Sequence, residues 1–556
     1  MSWGFEFRTI DGNRYLYLAE KRRTPKGPRN VRVIYLGTAE GLVRKLARPF
    51  TPLKSFPYGT AAALLHSAER TGLLTALDRH LRADARSLSV SRLLFLQIAG
   101  RLEKPLSREG MARWFSTSAL PLIWNVEDGP SPRTLRRHLQ DLFGVEGADG
   151  RLALSRATVH RIEGEIFRTL LDGGISPKWL LYDGTNFFTF HQSDRWFQRG
   201  HSKDKRYDRN LVGLGMVTAG NLPVLTEVAP GNEGEAKTFT RIFDAFVQRL
   251  IDLDIATDRL TLVFDRGINS TENFDRALDA MHVIAALNRQ QARRLLRIPL
   301  VRFREVAKDG VGEPVLGVPS TWHGFDRDWR VLVTYRKTTA EHQARVWADR
   351  RAKVLGKVAE WRKHPKRSEK AVWRRLTEVV PEGYQTCFRM TVEKVGGGFV
   401  PRVEVVASAE RTLTASFGRT AVITDLGEEK LSAEELVAGF VARSEIEDDW
   451  KWLKDRHVMS VKPVWVWNEA SVPGHVFLCV MGLLLLRYLQ WELRDLGLTM
   501  KRLLEALDGI RVVLVRTPEG RPQLGLEQMG ETAARVFSRL NLGRYLPGME
   551  STPGHA

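Results

Sequence analysis

Between Lys178 and Arg289 the hydrophobic period alternates between strand-like and helix-like, and that alternation limits the fold more than any other feature. Trp179–Tyr182 is an apolar run suited to a buried strand, and it ends at Asp183. Asn210–Val217 and Pro223–Val228 read as two further strands joined at Gly220-Asn221, a pair that favours a tight hairpin turn. Thr238–Leu253 has helical periodicity. Leu260–Phe264 is a second buried strand, ending at Asp265, followed by a helix from about Thr271 and a strand at His282–Leu287.

Three strands, a helix, a strand, a helix and a strand is the order of a ribonuclease H-like mixed sheet, so an α/β catalytic core is expected over 171–300 and 413–500. Residues 301–412 interrupt it. They hold strand-like pieces at Trp329–Tyr335, Gln385–Val392 and Val400–Ala407, and a long helical stretch, Glu341–Glu378, that should break at Pro365. That stretch carries twelve Lys/Arg against five Asp/Glu, with Trp347, Trp361 and Trp373 interleaved. Such a mixture suits phosphate pairing and base stacking, or else an exposed helix pair whose tryptophans pack inward.

Upstream, Tyr15–Gly37 reads as a β-hairpin around a basic Arg-Thr-Pro-Lys-Gly-Pro turn, within an N-terminal region 1–50. Residues 51–170 are helical in pattern and dotted with arginines (Arg113, Arg133, Arg136, Arg137, Arg156, Arg161), which fits a DNA-end-binding domain or a solvated bundle. A C-terminal region, 501–556, closes the chain, and Glu550–Ala556 is expected to fray.

At 556 residues the chain is too long for one core. Its formal charge of +20 calls for a polyanionic partner, nucleic acid or an anionic surface. Two cysteines, Cys387 and Cys479, exclude a disulfide framework and a Cys-rich zinc site. The apolar run Val476–Leu486 is too short for a bilayer and suits a buried helix. Met1–Thr9 lacks a signal-like apolar core, so a cytoplasmic protein without a membrane partner is expected.

The carboxylates carry the chemistry. Asp183 and Asp265 each close an apolar strand and are followed by a glycine within two residues, Gly184 and Gly267. On adjacent parallel strands they would stand side by side, although each alone could equally be a turn or capping residue. Leu431–Lys454 reads as one helix, entered at Ser432 with Glu435 three residues on, a capping box. At about 100° per residue, Phe440, Arg443, Glu447, Lys451 and Lys454 share one stripe, and Glu445 and Asp449 face away. Hard divalent cations prefer carboxylate oxygens, and two such ions serve phosphodiester cleavage. The competing reading of the stripe is ordinary i,i+4 surface pairing.

The spacing Phe440, Arg443, Glu447, Lys454 resembles the third motif of DDE transposases of bacterial insertion sequences: Tyr, two residues, Arg, three residues, Glu, six residues, Lys. Tyr182-Asp183-Gly184-Thr185-Asn186 and Phe264-Asp265-Arg266-Gly267 look like the family's first two motifs. Gly200 to Arg206, Ala229-Pro230-Gly231-Asn232, Lys462-Pro463-Val464 and Gly474-His475-Val476 are similar to its connecting segments. The resemblance spans about residues 178 to 490. It implies a ribonuclease H-like core with a mainly β insertion before the Glu. It also implies catalytic, metal-holding Asp183, Asp265 and Glu447 with two Mg²⁺ ions, Mn²⁺ able to substitute. Cleavage at terminal inverted repeats, strand transfer into target DNA and a homodimer on double-stranded DNA follow from the same resemblance, in a bacterial, nucleoid-associated setting. Arg443 and Lys454, with Lys451 and Phe440 beside them, would contact DNA. Phe440 departs from the family's Tyr and lacks its hydroxyl.

Other residues have plainer expectations. Ser202, Lys203, Lys205 and Arg206 read as DNA-binding or as a solvated loop, and His201 as a turn residue. His475 reads as a satisfied core histidine, Trp465 and Trp467 as packing residues or a base-stacking wedge, and Glu233 and Glu235 as solvent-facing. Two other functions share this pattern: a ribonuclease H-fold nuclease or resolvase, and a non-catalytic DNA-binding protein descended from a transposase.

Overall fold

The computed structural model describes residues 2–25, 27–47, 51–81, 88–103, 106–146, 152–175, 178–309, 312–459, 461, 464, 466, 469–516 and 522–546. Lys462, Pro463, Trp465, Trp467, Lys26 and Glu550–Ala556 lie outside them. The chain is a mixed α/β protein that divides into two compact units, one of residues 1–138 and 485–556, the other of residues 139–484.

In the larger unit a nine-stranded mixed sheet forms the frame. Its centre is the parallel trio Trp179–Thr189, Thr261–Phe264 and His282–Ala286. Asn210–Ala219 and Leu222–Pro230 follow antiparallel on one side. Gly220 and Asn221 both take positive φ at the turn between them (54° and 67°), the geometry a two-residue hairpin requires. The crossovers between the parallel strands are the helices Glu235–Asp252 and Thr271–Leu278. Phe239, Ile242, Phe243 and Phe246 of the first recur at helical spacing and are buried with Phe264 and Phe274 in the main core.

Two expectations need correction. The first strand does not end at Asp183 but continues to Thr189, because Gly184–Thr189 pair fully with Asn210–Gly215. Cross-strand pairing over a buried face outweighs the local turn preference of Asp-Gly. Nor is the 301–412 segment a mainly β insertion. Its strands Arg304–Lys308, Pro314–Gly324 and Arg327–Tyr335 extend the main sheet through Arg419–Thr424, which pairs antiparallel with both Arg327–Tyr335 and His282–Ala286. What remains is mostly helical: Lys337–Arg362, Glu369–Val379 and Ala407–Ala415 around one hairpin, Phe388–Val395 with Gly398–Val405. The expected break falls at Lys363–Ser368, around Pro365. Trp347 is a core residue, stacked on Tyr384 at 5.3 Å and donating its indole N–H to Glu410, whereas Trp361 and Trp373 are partly exposed.

In the smaller unit the expected hairpin is there, Asn13–Thr24 with Gly27–Thr38, and a strand at Ser2–Ile10 makes it three-stranded. The strand Thr51–Pro57 pairs with Arg511–Arg516, which ties the C-terminal segment to the N-terminal one. The most apolar helix, Ser471–Glu492, whose first fourteen residues belong to the larger unit, is long and apolar enough to cross a membrane by composition, yet 94% of its most apolar stretch is buried. Both cysteines are free and buried.

Candidate phosphoryl-transfer site

Sheet register sets the first two carboxylates. Phe264 pairs with Tyr182 across parallel strands, so Asp265, the next residue, stands beside Asp183 at about the 4.8 Å strand spacing. Asp183 is 8% exposed, and its carboxylate accepts from the Gly184 backbone N–H (2.8 Å) and from the Trp450 indole N–H (2.8 Å). Burial raises its pKa above the usual carboxylate range; the Lys203 ammonium and the Trp450 hydrogen bond oppose that shift, and Glu235 adds to it.

The third carboxylate comes from the helix Ala433–Lys454, which starts with the expected capping box between Ser432 and Glu435. It lies against the strands of the sheet centre, and Gly439 permits the close approach. A Cβ there would meet Ile284 Cδ1 at 2.9 Å and Trp179 at 3.3 Å. Four residues on, Arg443 reaches down to the strand ends. Its guanidinium lies 3.3 Å from Asp265 Oδ2 and 3.1 Å from Glu447 Oε1, so one cation joins the second and third carboxylates. Two turns further, Trp450 holds Asp183. A single helix therefore touches both aspartates through residues seven apart.

The remaining stripe residues divide. Phe440 is half-buried among Leu436, Val437 and their neighbours, with the Arg443 guanidinium 5.5 Å from its ring centroid. Lys451 is 76% exposed and pairs with Asp448 at 2.6 Å. Lys454 lies 3.0 Å from Asp204.

That aspartate belongs to the 200–206 segment, which folds over the site. Asn186 fastens the segment by donating to His201 O (2.8 Å) and accepting from the Lys203 backbone N–H (3.1 Å). The Lys203 ammonium sits 4.0 Å from Asp183 Oδ1, donates to Gly184 O and pairs with Glu235. Gly200 lets the segment cross the Ala229–Asn232 turn: a Cβ on it would lie 2.1 Å from Gly231 O. The two family-like connecting segments are thus in contact with each other. Arg206 instead pairs with Asp208 at 2.8 Å, and Lys205 is exposed.

Glu233 and Glu235 are not the solvent-facing residues expected. Glu233 pairs with Arg241 at 2.8 Å and accepts from Thr238. Glu235, first residue of its helix, lies over both motif glycines: Cβ atoms on Gly184 and Gly267 would come within 3.5 Å and 3.0 Å of it. His475 is buried with Nε2 3.1 Å from Val461 O, a core histidine as expected. Sequence reasoning missed Trp450, Asp204 and the placement of Glu235. Trp450 left one signal, since an indole three residues past Glu447 on a buried helix face needs an acceptor.

The donor set suits a hard divalent cation, because Asp183, Asp265 and Glu447 offer carboxylate oxygens alone. Among the described residues no three such groups converge to metal-ligand spacing, and Arg443 takes the place between Asp265 and Glu447.

No family model and no curated protein matches this sequence. Among solved structures the chain is similar to one described as a cryo-EM structure of the piggyBac transposase synaptic complex with hairpin DNA. The TM-score is 0.36 and the identity 8%, over 92% of this chain and 90% of that one. A superposition that loose carries no argument, and the site stands on its own geometry.

Proposed function

We propose that this chain is a DNA transposase of the DDE type, with a ribonuclease H-like core that cuts transposon ends and joins them to target DNA. The observation that carries the reading is the link from one helix to both aspartates: Arg443 joins Glu447 to Asp265, and Trp450 holds Asp183. The strand order of the core, with three antiparallel strands followed by two parallel additions, supports the same fold.

Asp183, Asp265 and Glu447 would hold Mg²⁺, which when bound activates the attacking oxygen and stabilises the leaving one. The chain's own residues do the rest. Trp450 and the Gly184 N–H fix the Asp183 carboxylate, leaving little freedom to lose when DNA arrives. Arg443 and Lys454 are held by Asp265, Glu447 and Asp204 in the free protein, and a DNA phosphate offers both a competing acceptor. Lys203, on the other side of Asp183, offsets the charge of the buried carboxylate. In this reading Phe440 packs under Arg443 and makes no hydrogen bond to DNA.

The test is an assay on duplex DNA carrying the sequences that flank the gene. A transposase releases the ends in Mg²⁺ and joins their 3′-hydroxyls to a second duplex. Nicking without any joined product would favour a nuclease or resolvase of the same fold.

A further inference from the structure

The N-terminal sheet carries a charged feature that the carboxylate site does not use. Asn13–Thr24 and Gly27–Thr38 pair with each other, and Ser2–Ile10 flanks them along Asn13–Lys21, so only the tip, Arg22–Thr24 with Gly27–Arg29, projects as a two-stranded ribbon. Between Lys21 and Thr38 the sequence has six Lys/Arg and no Asp/Glu. Glu6, from the neighbouring strand, is occupied by Lys21 (2.8 Å) and Asn30 (3.0 Å). Arg22, Arg23, Arg29 and Arg32 are exposed; Arg32 stands opposite Glu20 in the strand pairing, and among the described residues Arg22, Arg23 and Arg29 have no carboxylate partner.

The arrangement does not serve the sheet. Arg22 stands directly opposite Arg29, and like charges so placed destabilise a strand pair. Successive side chains alternate between faces, so Arg22 and Arg29 share one face at the tip and Arg23 projects from the other. Cations on both faces of a narrow ribbon match a cleft with anionic walls on both sides. The major groove of B-DNA is such a cleft, about 12 Å wide and able to admit a two-stranded ribbon. An anionic membrane is a single plane and would select one charged face. Behind the tip the sheet also exposes Val31 (61%), Val33 (39%) and Tyr35 (57%), apolar surface that can meet thymine methyls and sugars. Tyr35 is steadied by ring contacts with Tyr17 at 5.2 Å and Tyr15 at 5.8 Å.

We propose that the tip of this ribbon is a docking element for duplex DNA, seated in the major groove through Arg22, Arg23, Arg29 and Arg32. The proposal rests on the function given above and adds to it a DNA-contact surface outside the carboxylate site.

Binding of the full-length protein to a labelled duplex, followed by fluorescence anisotropy over a salt series in EDTA, tests it without cleavage. Replacing all four arginines by Gln should lessen the slope of log K against log salt by about 3 to 4, since each phosphate contact contributes about 0.9. Arg22→Gln with Arg29→Gln should lessen it by about 2, and that milder variant serves if the fourfold one does not fold. An unchanged slope in a folded variant overturns the ribbon proposal and leaves the carboxylate site untouched. So does an unchanged DNA slope accompanied by lost binding to phosphatidylserine vesicles, which assigns the arginines to a membrane. Failure of the unaltered protein to bind duplex at all overturns the transposase reading with it.

Discussion

Arg443→Gln should tighten binding of a divalent cation to the DNA-free protein. The guanidinium lies 3.3 Å from Asp265 and 3.1 Å from Glu447, so an ion shared by those carboxylates must first displace it. At an effective dielectric constant of about 20, each pair would be worth about 5 kcal/mol. The carboxylate side chains are 36% and 48% exposed, and water and salt reduce pairs of that kind to about 0.5–1 kcal/mol each. Two pairs make about 1–2 kcal/mol, or a gain of about 5- to 30-fold in affinity, at about 1.4 kcal/mol per tenfold. Mn²⁺ titration followed by electron paramagnetic resonance reads this without any DNA. Arg443→Lys should fall between the two, because an ammonium cannot span both carboxylates as a planar fork does. Equal or weaker Mn²⁺ affinity in the Gln variant would refute the competition argument.

Three further predictions concern Trp450 and two buried groups elsewhere in the fold. Trp450→Phe removes the indole donor from a buried carboxylate, so end cleavage should fall by at least about tenfold while duplex binding stays, and the folded state should lose about 1.5–3 kcal/mol in denaturant titration. Glu163→Gln should cost about 3–5 kcal/mol of stability, because it leaves the Arg249 guanidinium, 2.8 Å away and 5% exposed, without its buried counter-charge. His160 is held down to about 3 by burial first and then by Arg156 and Arg249, so the folded state resists its protonation. The unfolded chain takes up that proton near pH 6.5, so the stability is full above 6.5 and is lost as pH falls toward 3. His160→Gln should therefore flatten the acid limb of the unfolding curve over that window, and an unchanged limb would count against it.

Much of the core is readable in the sequence because its determinants are local. The apolar runs before Asp183 and Asp265, the Gly220-Asn221 turn and the Ser432–Glu435 capping box each act within a few residues. Glu447 stands out from Glu445 and Asp449 by helical angle alone. Illegible features depend on partners far along the chain. Arg419–Thr424 joins Arg327–Tyr335 to the main sheet across about 90 residues, which makes strands that read as an insertion part of the frame. Asp183 lies inside its strand because Asn210–Ala219 supplies the pairing. Lys203 and Glu235 enter the site only because the 200–206 segment and the helix Glu235–Asp252 start beside the two motif glycines. Nothing in their local sequence separates them from Lys205 and Glu233.

Asp183, Asp265 and Glu447 are proposed to form one metal-dependent site. Its most direct test is cleavage of duplex ends by Asp183→Asn, Asp265→Asn and Glu447→Gln, each beside a measurement of duplex binding. Every one of the three should lose Mg²⁺-dependent cleavage by at least about a hundredfold and still bind DNA. Cleavage retained by Glu447→Gln and lost by Glu445→Gln or Asp448→Asn would contradict this assignment.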